Sequence, residues 1–306
     1  MKTVLITGGT GLIGRQLSKL LSVKGYAVSI FTTSGRSSDG FKCFRWDPSS
    51  GTMDAQAVAE ADYIIHLAGA NIGEKRWSQD RKRAIVDSRV KSGELLFQAF
   101  LKNPGRLKAF VTASATGYYG AVTSQKIFTE DDAPESDFLG ETCRRWEETA
   151  GLFENAGIRT VKIRTGIVLD KTDGALARLL VPMRLHVGSA LGSGSQFMPW
   201  IHLNDICGIY LKAIEDVAMK GAYNAVAPQH TTNLEFTAAV AKTSGRTLWF
   251  PNVPAFVLKA IFGEMSAIIL EGSRVSADKI MKAGFNFEFP ELNPALENLL
   301  NEKQKA

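Results

Sequence analysis

The first fourteen residues constrain the fold of this chain more tightly than any other stretch. Thr3-Val4-Leu5-Ile6-Thr7 is apolar and rich in β-branching, as a strand buried on both faces requires, and Gly8, Gly11 and Gly14 follow it at three-residue spacing. Leu12, Ile13, Leu17, Leu20 and Leu21 then recur at helical intervals. Gly8 reverses the chain, Gly11 lets the backbone approach a pyrophosphate without a Cβ in the way, and Gly14 lets the helix pack closely on the strand. The N–H groups of the first helical turn are left aimed at an anion. Three spaced glycines alone say little, but between a strand and a helix they have the context that dinucleotide binding needs. Thr10, Leu12 and Ile13 belong to the same turn and count with the glycines as expected cofactor contacts.

Gly25 to Phe31 reads as the second strand, and the residues after it select the dinucleotide. A carboxylate about twenty positions past the glycines binds the ribose 2′-hydroxyl of NAD, whereas neutral or basic groups accept a 2′-phosphate. Here the chain has Thr32-Thr33-Ser34-Gly35-Arg36, with Arg15 as a second cation just past Gly14. NADP(H) is therefore expected in preference to NAD(H), through Thr32, Arg36 and Arg15. The alternative is that both arginines are simply solvated.

Further strands alternate with helices. Phe41 to Trp46 reads as a third strand ended by Asp47-Pro48, with Asp47 near an adenine edge. Ala61 to Ala70 is a fourth strand running into Leu67-Ala68-Gly69, small enough to pass close to the cofactor. His66 on it reads as a core histidine sooner than a catalytic one. A helix is expected over Gln79 to Leu101 and a fifth strand over Leu107 to Thr112, ending in Ala113-Ser114-Ala115-Thr116-Gly117-Tyr118-Tyr119-Gly120. Gln125 to Leu139 reads as an acidic surface loop over the site, Glu141 to Asn155 as a helix, and Gly157 to Leu169 as another strand. The alternation predicts an α/β, Rossmann-type doubly wound parallel sheet with its ligand at the carboxyl ends of the strands. After residue 170 it lapses. Residues 1–170 are expected to form mainly the dinucleotide-binding domain and 171–306 a smaller, interleaved substrate-side region, with 201–227 returning to the first.

Composition narrows the function classes. A net charge of +5, with 36 basic residues interleaved among 31 acidic ones, gives no nucleic-acid face; the cluster Lys75, Arg76, Arg81, Lys82 and Arg83 reads as a solvated helix face. Three scattered cysteines, Cys43, Cys143 and Cys207, offer neither disulfides nor a metal site and fit a reducing cytoplasm. The chain opens on a strand, where no signal peptide is expected, and its apolar stretch Phe256 to Leu270 is interrupted by Lys259 and Glu264. That stretch reads as an apolar helix pair under a lid, with no membrane span. The expected partner is a small-molecule substrate of unnamed identity, with a homodimer left open.

Together the motifs resemble the extended short-chain dehydrogenase/reductase superfamily. They are Thr7 to Gly14, His66-Leu67-Ala68-Gly69, Ser114 to Gly120, Arg164-Thr165-Gly166-Ile167-Val168 and Ile201-His202-Leu203-Asn204-Asp205, in that order. Arg76-Trp77, Ser88-Arg89-Val90, Trp146-Glu147, Gln196 to Asp205 and Asn224 to Pro228 are similar to its atypical epimerase-family branch, that is, NAD-dependent epimerase/dehydratase-like proteins. The resemblance implies that Arg164 and Val168 join the cofactor contacts and that the activity is reductase- or epimerase-like. Some members of the branch are linked to cell division.

It also implies a Ser or Thr, a Tyr and a Lys as the chemical groups, with the Lys lowering the Tyr pKa and holding the nicotinamide ribose. Here the junction reads Leu139-Gly140-Glu141-Thr142-Cys143-Arg144-Arg145-Trp146-Glu147, so Leu139 stands for the Tyr and Cys143 for the Lys. Leucine moves no proton, and a cysteine without an adjacent base is no activated thiolate. Ser88 stands where an active-site Asn is expected. The remaining catalytic candidates are Ser114, with Thr116 as its alternative, and Tyr118 or Tyr119 as proton donor; Arg144 offers a replacement charge. His202 with Asp205 reads either as an acid/base pair or, sooner, as a strand end followed by an N-terminal helix cap. Two expectations follow: an NADP(H)-dependent oxidoreductase or epimerase-like protein, or a nucleotide-sensing protein that lost catalysis.

Overall fold

The computed structural model describes residues 1–34 and 40–301. Its strands in chain order are β1 (Thr3–Thr7), β2 (Ala27–Thr32), β3 (Lys42–Asp47), β4 (Thr52–Met53), β5 (Tyr63–His66), β6 (Ala109–Ala115), β7 (Ile127–Phe128), β8 (Arg159–Thr165), β9 (Ile167–Leu169), β10 (Trp200–His202), β11 (Gly221–Ala225) and β12 (Arg274–Val275). Among the described residues, eight of these form one sheet in the order β11-β8-β6-β5-β1-β2-β3-β4. The order reverses at β1, which pairs in parallel with β2 on one side and β5 on the other. That reversal is where the carboxyl ends of a doubly wound sheet open a crevice for a ligand. Val4, Leu5 and Ile6 are completely buried, as the central strand of a sheet covered on both faces demands.

Two compact units emerge. The first comprises Met1–Tyr118, Glu141–Arg164 and Cys207–Tyr223; the second comprises Tyr119–Gly140, Thr165–Ile206 and the chain from Asn224 onward. In the first, Leu5, Phe31, Trp46, Ile64, Leu96, Phe100, Phe110 and Phe153 form the core, with the rings of Phe110 and Phe153 stacked 3.9 Å apart. Each fully buried side chain of this size contributes about 1.5–3 kcal/mol. In the second, Leu169, Leu176, Trp200, Phe236, Val240 and Leu296 form a separate core.

Several elements differ from their sequence reading. Asp47-Pro48 does not end the edge: the chain turns back and β4 pairs antiparallel with β3, Trp46 opposite Met53. Asp47 closes that turn by accepting from the Ser49 N–H at 2.9 Å. The strand read as Gly157 to Leu169 is two strands, with β8 in the large sheet and β9 pairing in parallel with β10. They part at Gly166, where a Cβ would lie 2.4 Å from the Pro199 carbonyl oxygen. Within the second unit the acidic segment is a largely exposed surface loop, as read, but it is tied down. β7 pairs with β12, Glu130 accepts from the Asn224 N–H at 2.7 Å, and Asp137 accepts from the N–H groups of Ala121 and Gly140. The helix after it starts at Phe138 and runs to Asn155. The stretch beginning at Phe256 forms the helix Ala255–Phe262, a tight turn over Gly263–Ser266 and the short helix Ala267–Leu270. Among the described residues no helix is long and apolar enough to cross a membrane.

Candidate functional site

At the end of β1 the three glycines differ in what a side chain would meet. Gly8 has φ of +69° and a Cβ on it would meet the Leu67 carbonyl carbon at 2.9 Å, so both conformation and space exclude a side chain. Gly14 lies in the helix Leu12–Val23, and a Cβ there would sit 2.3 Å from the Gly8 carbonyl oxygen. Gly11 differs. It caps the helix with φ of −77° and ψ of 177°, which any residue adopts, and a Cβ would touch only the Gly8 oxygen at 3.3 Å. The backbone does not ask for glycine at this exposed position, and packing inside the chain asks only that the Gly8 oxygen give by a few tenths of an ångström. The helix has no acidic residue in its first turn and no side-chain cap, so its N-terminal N–H groups and their partial positive charge fit a pyrophosphate. Thr10 is exposed, Leu12 and Ile13 are half-buried, and Arg15 folds back so that Nη1 donates to the Thr10 carbonyl at 2.7 Å. Gly9, which the sequence reading passed over, is fixed by packing: a Cβ would lie 1.7 Å from Ile30 Cγ2 on β2.

The end of β5 is braced against this turn. Thr7 Oγ1 accepts from the N–H groups of Leu67 at 3.1 Å and Ala68 at 3.2 Å, so its own proton points to His66 Nδ1 at 2.7 Å. His66 is therefore neutral with its proton on Nε2, which donates to Ser92 Oγ at 3.1 Å, and Ser92 donates onward to the Ser88 carbonyl at 2.7 Å. Burial pushes the His66 pKa down to about 4. It is a core residue that links the end of β1 to the helix Gln79–Lys102. Ser88 accepts from the Ala70 N–H at 2.9 Å, so it positions the loop containing Leu67, Ala68 and Gly69. On the other side of β1, Thr32 is buried at the end of β2. Arg36 lies outside the described residues. Val168 sits in the second unit, on β9 in register with Ile201.

At the end of β6 the groups nominated for chemistry are bound to one another. Arg164 on β8 makes a two-point ion pair with Glu147, Nε to Oε1 at 2.8 Å and Nη2 to Oε2 at 3.0 Å, and the two side chains are 4% and 9% exposed. Ser114 donates its hydroxyl proton to Glu147 Oε1 at 2.7 Å. The Arg164 guanidinium lies over the Tyr118 ring, 3.5 Å from its centroid. Burial raises the Tyr118 pKa and the Arg164 charge partly offsets it, so the phenol keeps its proton at neutral pH. Thus Ser114, Tyr118 and Arg164 are brought together around Glu147, a residue the motif comparison had noted without giving it a role. Ser114, its proton already engaged, offers only lone pairs to a substrate.

Other candidates are spent elsewhere. Tyr119 is completely buried in the second unit, stacked on Phe128 and donating to Asn224 Oδ1 at 2.7 Å, which leaves Tyr118 as the phenol at this strand end. Arg144 pairs with Glu141 and Glu148 on the exposed side of its own helix. Leu139 and Cys143 are buried one helical turn apart, and burial first, with the Glu147 carboxylate second, pushes the Cys143 thiol up to about 12. A neutral thiol there supplies neither base nor cation. His202 stacks on Phe289, and Asp205 does not cap its own helix: it accepts from the N–H groups of Glu288 at 2.7 Å and Phe289 at 3.1 Å, partners more than eighty residues away. These are packing roles.

The geometry agrees with what the chain is similar to. Residues 4–144 match the NAD dependent epimerase/dehydratase family, and residues 253–299 match a domain of unknown function, DUF1731. The human epimerase family protein SDR39U1 is 33% identical over 97% of this chain and 99% of its own length. The epimerase family protein YfhF of Bacillus subtilis is 33% identical over 98% of this chain and 99% of its own. The crystal structure of human SDR39U1 with NADPH superposes with a TM-score of 0.87 at 34% identity, covering 98% of this chain and 99% of that one. A UDP-glucuronic acid 4-epimerase from Bacillus cereus, solved with UDP-glucuronic acid and NAD, shares the fold at a TM-score of 0.78 and 19% identity, over 97% of each chain. The glycine turn, the bracing of β5 and the near full-length similarity lead to one conclusion: the chain belongs to the epimerase family of NAD-dependent epimerase/dehydratase-like proteins.

Proposed function

We propose that this protein binds NADP(H) at the β1 turn and acts as a reductase or epimerase-like oxidoreductase on a small molecule. The observation that carries the reading is Gly11, an exposed glycine whose backbone conformation any residue adopts and whose Cβ would meet only the Gly8 oxygen, at 3.3 Å. Gly8, Thr10, Gly11, Leu12, Ile13, Gly14, Arg15, Thr32, Leu67, Ala68 and Gly69, with Arg36, would hold the dinucleotide, which when bound supplies a hydride donor or acceptor. Arg164 and Val168 remain as contacts implied by family resemblance. In the chain itself, Tyr118 Oη holds the proton to be moved, the Arg164 guanidinium stabilises negative charge on that oxygen, and Glu147 fixes the guanidinium through two hydrogen bonds. Leu139 and Cys143 exclude the Tyr–Lys arrangement of the wider superfamily. SDR39U1 having been solved with NADPH supports the choice of cofactor.

The test is to measure NADPH and NADH affinity, then to offer carbonyl compounds and sugar nucleotides with NADPH while following its absorbance. Tighter binding of NADPH is expected, and Tyr118→Phe should slow turnover about a hundredfold or more. Equal affinity for the two dinucleotides, or turnover unchanged in that variant, counts against the reading. A second reading, an NADP(H)-sensing or interaction protein without catalysis and linked to cell division, is favoured by the buried, neutral Cys143. A partner recovered only with cofactor, and no turnover on any substrate, would distinguish it.

A further inference from the structure

Within the second unit a cationic cavity shares no residue with the groups assigned above to the cofactor or to proton transfer. The helix Gly174–Arg184 packs against the helix Asn233–Thr243, and residues of both line a cavity of about 510 Å³, the size of a small-molecule site. Leu180, Met183 and Leu300 give it an apolar lining, and Lys171, Arg184 and Arg246 give it three cations. Among the described residues that line it none is acidic. A neighbouring cavity of about 450 Å³ shares Lys171 and Arg184 and adds Arg178. Its Asp173 carboxylate is engaged as the cap of the helix, accepting from the Gly174 N–H at 2.7 Å.

Helix dipoles account for only part of this charge. Arg184, in the last turn of its helix, lies at the negative pole, but Lys171 stands just ahead of the first turn, where a cation is disfavoured. Neither Arg184 nor Arg246 pairs with a carboxylate among the described residues. Arg246 is also held at a conformational cost. The helix Gly174–Arg184 ends in a left-handed turn, with the His186 N–H donating to the Met183 carbonyl at 3.1 Å and the Val187 N–H to the Pro182 carbonyl at 3.0 Å. Glycine ordinarily takes the left-handed position; here it is His186, with φ of +59°, the one non-glycine residue with positive φ among those described. In that place its imidazole accepts at Nε2 from Arg246 Nη1, which orients the guanidinium and leaves the histidine neutral. Ser244, after the second helix, lines the same cavity, and its buried hydroxyl has no hydrogen-bond partner among the described residues. A buried donor of this kind is costly unless something outside the chain satisfies it.

We propose that this cavity binds a small organic phosphate monoester, the dianion held by Arg184, Arg246 and Lys171 and the apolar body lying on Leu180, Met183 and Leu300. Three cations with no acidic neighbour in the lining exceed the charge of one carboxylate and match that of a phosphate dianion. The site is independent of the NADP(H) reading. Calorimetric titration at about pH 7.5, where a phosphate monoester is mostly a dianion, uses n-hexyl phosphate as the probe, with inorganic phosphate and hexanoate for comparison. Hexyl phosphate should bind at one site, about tenfold or more tighter than either comparison compound. The double variant Arg184→Gln/Arg246→Gln should lose about tenfold or more of that affinity while its thermal unfolding and NADPH affinity stay as in wild type. If it does not fold, Lys171→Gln serves in its place. No binding of hexyl phosphate at millimolar concentration, undiminished binding by the folded variant, or hexanoate binding as tightly overturns the proposal. Binding confined to vesicles of anionic phospholipid also overturns it and makes the cations part of a surface.

Discussion

The carboxyl ends of β1 and β6 lie in one sheet, two strands apart, yet they are built on opposite principles. At β1 the backbone is stripped of side chains: Gly8, Gly9 and Gly14 are held by contacts of 1.7–2.9 Å that any Cβ would make, and Gly11 is left open. At β6 the side chains are crowded and mutually satisfied, with Ser114, Glu147 and Arg164 buried in one network, half-buried Tyr118 stacked on it, and Cys143 buried one turn before Glu147 on the helix. The first region has donors prepared for a ligand. The second has already used most of its own. Cofactor binding and proton transfer are therefore separable properties of this sheet, and similarity in the first region does not carry the second with it.

Breaking the β6 network should have the largest effect. Glu147→Gln leaves the buried Arg164 without its counter-charge and should cost about 3–5 kcal/mol of stability in urea unfolding. A loss below 1 kcal/mol would show that this end is looser than its geometry implies. Acid should act on the other region, through His66. Its pKa is about 4 in the folded protein against 6.5 ordinarily, so the unfolded chain takes up the proton first. The stability from keeping it neutral is complete above pH 6.5 and is lost as the pH falls to 4, on the order of 3 kcal/mol. His202, also pushed down to about 4, adds to the same slope from the second unit. An NMR titration in which His66 protonates near 6.5 while the protein remains folded would contradict this. The smallest and sharpest contrast lies within the turn. Gly14→Ala forces backbone apart and should destabilise by about 1–3 kcal/mol, whereas Gly11→Ala asks the Gly8 oxygen to give only a few tenths of an ångström. Thermal unfolding near that of wild type combined with weakened NADPH binding is expected for Gly11→Ala, and retained binding would remove the main support for a ligand at that position.

Much of the first region was legible because its signals are local. The strand, the glycine spacing and the helix all lie within a dozen residues, and each has a period that a single stretch of sequence displays. The assignment of His66 to the core and the loss of the Tyr–Lys pair at Leu139 and Cys143 could likewise be read directly. Elsewhere the readings missed long-range partners. Asp205 has the sequence position of a helix cap, but its carboxylate satisfies Glu288 and Phe289. Tyr118 and Tyr119 were equivalent as letters, and the fold sends one to Arg164 and the other to Asn224, 105 residues away. The acidic segment after Gln125 reads as a surface loop, and nothing local shows that Glu130 and Asp137 anchor it by accepting backbone N–H groups.

The sequence by itself determined the parallel sheet, its glycine turn and the absence of the usual proton-transfer pair, since these depend on residue identity and short spacing. Only the tertiary structure decided that Gly9 yields to Ile30, that Glu147 binds both Ser114 and Arg164, and that Arg89 lies on Trp146 beside Gly69. No local period encodes such partners; they become neighbours when strands far apart in the chain pair and helices pack across them.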